Sequence, residues 1–259
     1  MAQDLNPVID WIERQLASGE IVPEVLGVFP SLTVSEAYRV QQGLIARRIE
    51  GGNRLVGYKA AMTSQAMRDM VGHPEPVLGH LLAAGMLEES RPLAVADFVK
   101  PTVEPEVAVI LKRGLAGPGV TRAAALAAIE GYAAAIEVGD IKTGGNERSL
   151  QQTLVCNVMN GGQVAGGMLV DKAGIDLRVE GMVLTINGEV RATATAAEVL
   201  GDPVNSVAFI ANKLGELGGR LEPGMLLMTG SIVRGVPVSA GDRVDVAFTR
   251  LGGVALRFT

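Results

Sequence analysis

Three glutamates carry the most chemistry in this sequence. Glu104 and Glu106 lie in the run TVEPEVAVILK, and Glu137 lies in AAAIEV. The first run has the β-branched, apolar character of a buried strand, although Pro105 puts its start at an edge or a bulge. Alternate side chains of a strand share a face, so Glu104 and Glu106 project to the same side with Pro105 between them. Two carboxylates on one face repel unless positive charge lies between them. Glu137, in its apolar run, faces a severe desolvation cost unless it is paired. Three carboxylates suit a hard cation, Mg²⁺ or Mn²⁺, better than zinc, which favours histidine and cysteine. The same residues also fit a plainer arrangement, with the pair lining a solvated edge and Glu137 bound to a lysine. The Glu-x-Glu spacing alone does not separate the two.

Lys59 ends an apolar segment, RLVGYK, where a lysine beside an anionic site can bind a carboxylate or assist proton transfer; most strand-end lysines simply reach solvent. Met228-Thr229-Gly230-Ser231 forms a glycine-flanked turn whose amides and hydroxyls can grip a small carboxylate, and by itself is an ordinary turn. Other chemistries fail on inventory. His73 and His80 are the only histidines, and neither H-E-x-x-H nor C-x-x-C occurs, which argues against structural zinc. Cys156, the single cysteine, would need a histidine nearby to act as a nucleophile, and a lone cysteine is more often a small core residue. GGQVAGG misses the dinucleotide-binding spacing, and no G-x-S-x-G elbow is present.

These residues need elements to hold them. The spacing of Val8, Ile9, Ile12 and Leu16 predicts a helix over 7–18, with Pro7 in its first turn. Thr33 with Glu36 three residues on forms a capping box, and Gly51-Gly52 closes a second helix over 34–50. Strands are expected over 54–59, 102–112 and 133–138, with an alanine-rich helix from Thr121 to about Tyr132. From Leu177 the pattern is strand, turn, strand, with Asn187-Gly188 as the hairpin. DPVNSVAFIANKLGELGG gives one more helix, and the final third reads as short strands between glycine turns. Helices gather early and strands late, so the fold class is α+β with a rolled or barrel-like mixed sheet. The division expected is an N-terminal helical region, 1–55, and a mixed β domain, 56–259, as parts of one principal domain.

With 259 residues, 48% hydrophobic and 20% charged, the chain can bury a sizeable core. A net charge of −5 and the lack of any basic run argue against nucleic acid as a partner. The N-terminal residues do not read as a signal peptide, and no apolar stretch runs roughly 18 residues without a charge, so a cytoplasmic protein without a membrane span is expected.

Taken in order, FPSLTVSEAYRVQQ, LVGYKAAMTS, PTVEPEVAVIL, AAIEVGD, NGEV, AAEVLGDPVNSVAFIANKL and LLMTGSIVRGVPVSAGD resemble the hydratase and decarboxylase branch of the fumarylacetoacetate hydrolase superfamily, over nearly the whole chain. The resemblance implies that family's fold, with Mg²⁺ or Mn²⁺ held by Glu104, Glu106 and Glu137, Lys59 as the active-site lysine, and Thr229 where a substrate carboxylate is held. It implies a lyase of aromatic meta-cleavage catabolism acting on a small 2-oxo acid, the cation stabilising negative charge as an enolate develops. It also implies a homo-oligomer, in some relatives complexed with a partner pathway enzyme.

Three departures bear on which reaction is expected. Val77 stands where the hydratases carry an acidic residue, which removes a candidate general acid/base for adding water and tilts the expectation to decarboxylation of a 4-oxalocrotonate-like diacid. Lys142 stands where many relatives have arginine, and Asp202 where a histidine is common. Ser231 belongs to the carboxylate-gripping turn, and Arg234 is a candidate for pairing with a second carboxylate, with a solvated arginine as the plainer alternative. Competing readings are a hydratase, a C–C bond hydrolase, for which His73 with Glu75 is the nearest candidate pair, and a non-catalytic assembly partner that keeps the fold.

Overall fold

The computed structural model describes residues 4–144 and 148–259. Its helices are α1 (Asn6–Ala17), α2 (Val25–Val28), α3 (Val34–Glu50), α4 (Gln65–Val71), α5 (Arg122–Ala128), α6 (Leu150–Val155) and α7 (Pro203–Glu216). The strands that matter for the site are β1 (Leu55–Ala61), β2 (Val77–Leu82), β3 (Pro101–Leu111), β4 (Ile129–Asp140), β5 (Asn160–Ala165) and, further on, β9 (Leu226–Met228). Between and after them come β6 (Val170–Asp171), β7 (Gly181–Ile186), β8 (Glu189–Thr195), β10 (Val236–Pro237), β11 (Arg243–Phe248) and β12 (Gly253–Arg257).

A curled sheet runs in the order β2-β1-β9-β3-β4-β5, with β10 added to β3 and β6 to β4. It is mixed, because β1 and β9 are parallel while β3 pairs antiparallel with both β9 and β4. A second sheet, β12-β11-β7-β8, packs through β11 and β12 against β4. The expected α+β class with a rolled mixed sheet is what the molecule adopts.

Local sequence explains the early elements. The capping box of α3 forms as read: Glu36 N–H donates to Thr33 Oγ1 at 3.2 Å, and Thr33 N–H donates to Glu36 Oε2 at 2.9 Å. The helix buries Ala37, Tyr38, Val40, Gln41, Leu44 and Ile45, the three-and-four spacing of a single apolar face. That face lies against α1 and α6, and the Gln41 amide donates to the carbonyls of Leu78 and Leu154, tying α3 to β2 and α6. The Asn187-Gly188 hairpin joins β7 to β8, both residues having positive φ.

One boundary differs from expectation. The alanine-rich helix stops at Ala128, and β4 begins at Ile129 and runs to Asp140, twice the strand expected over 133–138. Alanine favours helix, but β3 on one side and β5 and β6 on the other pair with this segment along its length, and that pairing prevails over local propensity. Six of the named elements carried no clear sequence signal: α2, α4, β2, α6, β5 and β6.

Alternation along the strands gives the curled sheet two different faces. One joins the main core through Val107, Val109, Ala134, Ile136 and Val138. The other carries a separate apolar cluster of Leu81, Ala108, Ala133, Ala135, Leu226 and Met228. Glu106 and Glu137 share that second face, two residues along from Ala108 and Ala135 on their own strands.

Candidate metal centre

The β3–β4 ladder sets the geometry. Glu104 lies directly opposite Glu137, and Glu106 follows on the same face of β3. One carboxylate oxygen from each of the three lies within 4.8 Å of the other two. Lys59 arrives from β1, which reaches β3 through β9: Lys59 pairs with Met228, and Met228 with Ala108. Its ammonium donates to Glu137 Oε1 at 2.5 Å and to the Val158 carbonyl at 3.4 Å. Lys59, Glu106 and Glu137 are all but sealed from solvent, at 3%, 0% and 1% exposure.

Two further donors fix the carboxylates. Gly230 N–H donates to Glu106 Oε2 at 2.7 Å, and Asn160 Nδ2 donates to Glu137 Oε1 at 3.1 Å. Gly230 must be glycine: its φ is +113°, and a Cβ there would sit 2.4 Å from Thr63 Oγ1. Glu106 Oε1 and Glu137 Oε2 are buried and have no partner among the described residues. Buried carboxylate oxygens without partners are costly, and an all-oxygen donor set beside them fits a hard divalent cation.

The electrostatics point the same way. Burial, reinforced by the charge of Glu137, pushes the Glu104 carboxyl up to about 7 against the relief given by Lys59 and Arg148. Burial and Glu137 likewise raise Glu106 well above the usual carboxylate range. Burial alone would lower the Lys59 ammonium, but Glu137, Glu104 and Glu106 outweigh it and raise its pKa. Three carboxylates with one lysine form an acid-rich cluster that further positive charge would stabilise.

Of the remaining residues singled out in the sequence, Thr229 and Ser231 flank Gly230 at this centre, and the others make contacts of their own. Thr229 is fully buried, with its hydroxyl donating to the Val107 carbonyl at 2.9 Å, and Ser231 Oγ donates to the Val233 carbonyl at 2.5 Å. Arg234 is exposed, with no ion pair among the described residues. Val77 opens β2, buried, on the same face as Gly79, whose Cα faces Lys59 across the β1–β2 ladder. A Cβ at Gly79 would sit 2.8 Å from Lys59 Cγ, so glycine leaves the lysine stem its path. Lys142 turns away to Asp140 at 3.2 Å, and Asp202 caps α7 through Val204 N–H while holding Arg122. His73 Nδ1 lies 2.8 Å from the Glu75 carbonyl, and the Glu75 carboxylate pairs with Lys213, so the two do not form a water-activating dyad.

Several contributors were missed by sequence reasoning: Asn160, Arg148 near Glu104, and the turn Asn157–Met159; the Gly230 amide, expected in a turn that grips a small carboxylate, grips that of Glu106. That turn holds three consecutive left-handed residues, with φ of 49°, 55° and 58°. Such backbone costs roughly 1–2 kcal/mol per residue away from glycine, most of all for a β-branched side chain such as Val158. Asparagine tolerates this region, but nothing in the sequence NVMN announces a run of three.

Comparison with known proteins adds independent information. The family model described as fumarylacetoacetate (FAA) hydrolase C-terminal matches residues 56–259. A 4-oxalocrotonate decarboxylase of Pseudomonas putida is 32% identical over 249 residues, covering 96% of this chain and 94% of the relative. A 2-hydroxyhexa-2,4-dienoate hydratase of Comamonas testosteroni is 32% identical over 232 residues, with 89% of this chain and 88% of the relative covered. The solved structure of 4-oxalocrotonate decarboxylase from Pseudomonas putida G7, complexed with magnesium and adipate, superposes with a TM-score of 0.94 at 31% identity, covering 100% of this chain and 99% of that one.

Proposed function

Because the chain belongs to the fumarylacetoacetate hydrolase family, we propose that it is a divalent-metal-dependent lyase that decarboxylates a small 4-oxalocrotonate-like diacid. The observation that carries this reading is the glutamate trio, two of it fully buried and each of those with a partnerless carboxylate oxygen, beside Lys59.

Glu104, Glu106 and Glu137 would hold the ion, while Gly230 N–H and Asn160 keep two of the carboxylates aimed. When bound, Mg²⁺ or Mn²⁺ supplies the positive charge that draws a 2-oxo acid in and stabilises the negative charge that grows on its 2-oxo oxygen. In decarboxylation the bond to the distal carboxylate breaks, its electron pair runs through the conjugated chain to that oxygen, and CO₂ leaves. Lys59 holds a proton at Nζ next to Glu137 and neutralises part of the pocket's charge. Thr229 and Ser231 shape the turn at the carboxylate end, and Arg234 is assigned to the distal carboxylate. Helices α1 to α3 form the N-terminal region of 1–55, and the catalytic part is 56–259.

Val77 favours decarboxylation. On Lys59's face of the sheet it offers no proton where water addition needs an acid or base, whereas CO₂ loss needs only the electron sink and later protonation. Among the relatives both reactions occur, so the hydratase is the second reading. The test is purified protein with Mg²⁺, followed by CO₂ release from 4-oxalocrotonate and by loss of dienol absorbance from 2-hydroxypent-2,4-dienoate. CO₂ release supports the proposal; dienol consumption alone replaces it with hydration. Metal binding without turnover of either acid would make the chain a non-catalytic member of its family.

A further inference from the structure

Strained backbone persists only where its surroundings hold it. The left-handed turn Asn157–Met159 is held by the burial of Val158 and Met159, by Met159 N–H donating to the Cys156 carbonyl at 3.0 Å, and by one side-chain clamp on β2. The Asn157 side chain clamps the main chain of β2 at both ends of one residue: Oδ1 accepts from His80 N–H at 2.9 Å, and Nδ2 donates to the His80 carbonyl at 2.9 Å. By contrast Asn187, also left-handed, sits in an exposed hairpin turn where such a conformation is ordinary.

What the turn presents is specific. Its middle residue turns the Val158 carbonyl to the Lys59 ammonium, 3.4 Å away, and packs its side chain beside Gly79 opposite the lysine stem. The residue that follows the turn, Asn160, donates to the Glu137 oxygen that Lys59 also binds. Three strained residues therefore stand between a clamp on β2 and both halves of the Lys59–Glu137 pair.

We propose that this turn is a positioning device for the Lys59–Glu137 pair and that Asn157 is its positioning residue, acting through Val158 and Asn160 without touching substrate. The proposal rests on the site described under the proposed function and not on which acid is turned over. Without the clamp the turn relaxes, the Val158 carbonyl leaves the ammonium, and Glu137 loses its fixed aim.

Asn157→Gly tests this with little risk to the fold, since glycine adopts the left-handed backbone freely and only the clamp is removed. Wild type, Asn157→Gly, Asn157→Asp and the control Asn187→Ala would be compared in kcat and KM on 4-oxalocrotonate with Mg²⁺, and in Mn²⁺ affinity by electron paramagnetic resonance without substrate. The expected result for Asn157→Gly is a kcat lower by about tenfold or more and weaker Mn²⁺ binding, as when supporting hydrogen bonds around a metal site are lost. KM should stay within about twofold, the sign of a lost transition-state contribution. Asn157→Asp sets a carboxylate oxygen against the His80 carbonyl where the donor was and should lose at least as much as Asn157→Gly, and Asn187→Ala should change neither. The inference is overturned if Asn157→Gly keeps wild-type kcat and Mn²⁺ affinity, or if its melting temperature alone falls. Should the wild type turn over neither acid, the functional reading fails, and the Mn²⁺ measurement still decides this one.

Discussion

Glu104 and Glu137 stand face to face across the β3–β4 ladder, two carboxylates at directly opposed positions, Glu137 buried and Glu104 half-buried. Like charges so placed destabilise a sheet, and the interior raises the cost. A fold that keeps this arrangement with Glu106 alongside gives up stability, as the proposed cation site would require.

That trade should be visible in Glu106→Gln. The Gln carbonyl still accepts from Gly230 N–H, while a carboxyl whose charged form burial and Glu137 disfavour disappears. Melting of the metal-free variant is expected at or above the wild-type temperature, and Mn²⁺ affinity should fall by about 100-fold or more because one charged ligand is gone. A variant less stable and equally tight for metal would mean that Glu106 is a structural carboxylate.

The pH dependence follows from the Glu104 carboxyl, raised by burial and by Glu137 from 4.5 to about 7 in the metal-free protein. The folded state then binds this proton more tightly than the unfolded chain does. Its stabilising contribution is complete below about 4.5 and is lost as pH rises through about 7. In chelator the melting temperature should therefore fall over that window. In Mg²⁺ the trend should flatten or reverse, since binding requires the deprotonated ligands and tightens as pH rises. Thermal melts at stepped pH with and without Mg²⁺ check both signs.

In the proposed mechanism Lys59 serves the reaction, and its buried ion pair with Glu137 also bears on stability. Removing one partner of a buried ion pair costs about 3–5 kcal/mol, so Lys59→Ala should melt clearly below wild type in chelator. Turnover with saturating Mg²⁺ should drop by about 100-fold or more, as for loss of a positioned proton carrier. Melting curves and initial rates on the same preparations separate the two effects.

Cys156 should take no part. It is buried, and burial pushes its thiol up to about 12, so thiolate is scarce at neutral pH. Iodoacetamide at about pH 8 is expected to label it only after denaturation. Rapid labelling of the native protein would reveal an opening that exposes α6.

How much of this could be read in advance varies with how local the signal is. Thr33 with Glu36 marked the start of α3, and Asn187-Gly188 marked its hairpin, because each works through contacts within a few residues. The alternation that puts Glu104 and Glu106 on one face is a property of any strand, and family resemblance then singled out Glu137 as their partner. Its register opposite Glu104 came only from the pairing of β3 with β4. The length of β4 was hidden because alanines read as helix until neighbouring strands claim them. Asn160 and Arg148 join the site through contacts between residues far apart in sequence, for which no short pattern exists, and the glycine turn that offered the Gly230 amide did not say that Glu106 would be its partner. The clamp of Asn157 on His80 spans the distance from β2 to the turn before β5 and is equally silent in the sequence.

The most direct measurement of the central idea, one hard cation held by the glutamate trio and required for turnover, is a metal titration of chelator-stripped protein. Mn²⁺ should bind once per chain, turnover should rise in proportion to that occupancy, and Glu106→Gln and Glu137→Gln should abolish both together. Undiminished turnover in excess chelator, or a full-affinity Mn²⁺ site surviving in both variants, would contradict it.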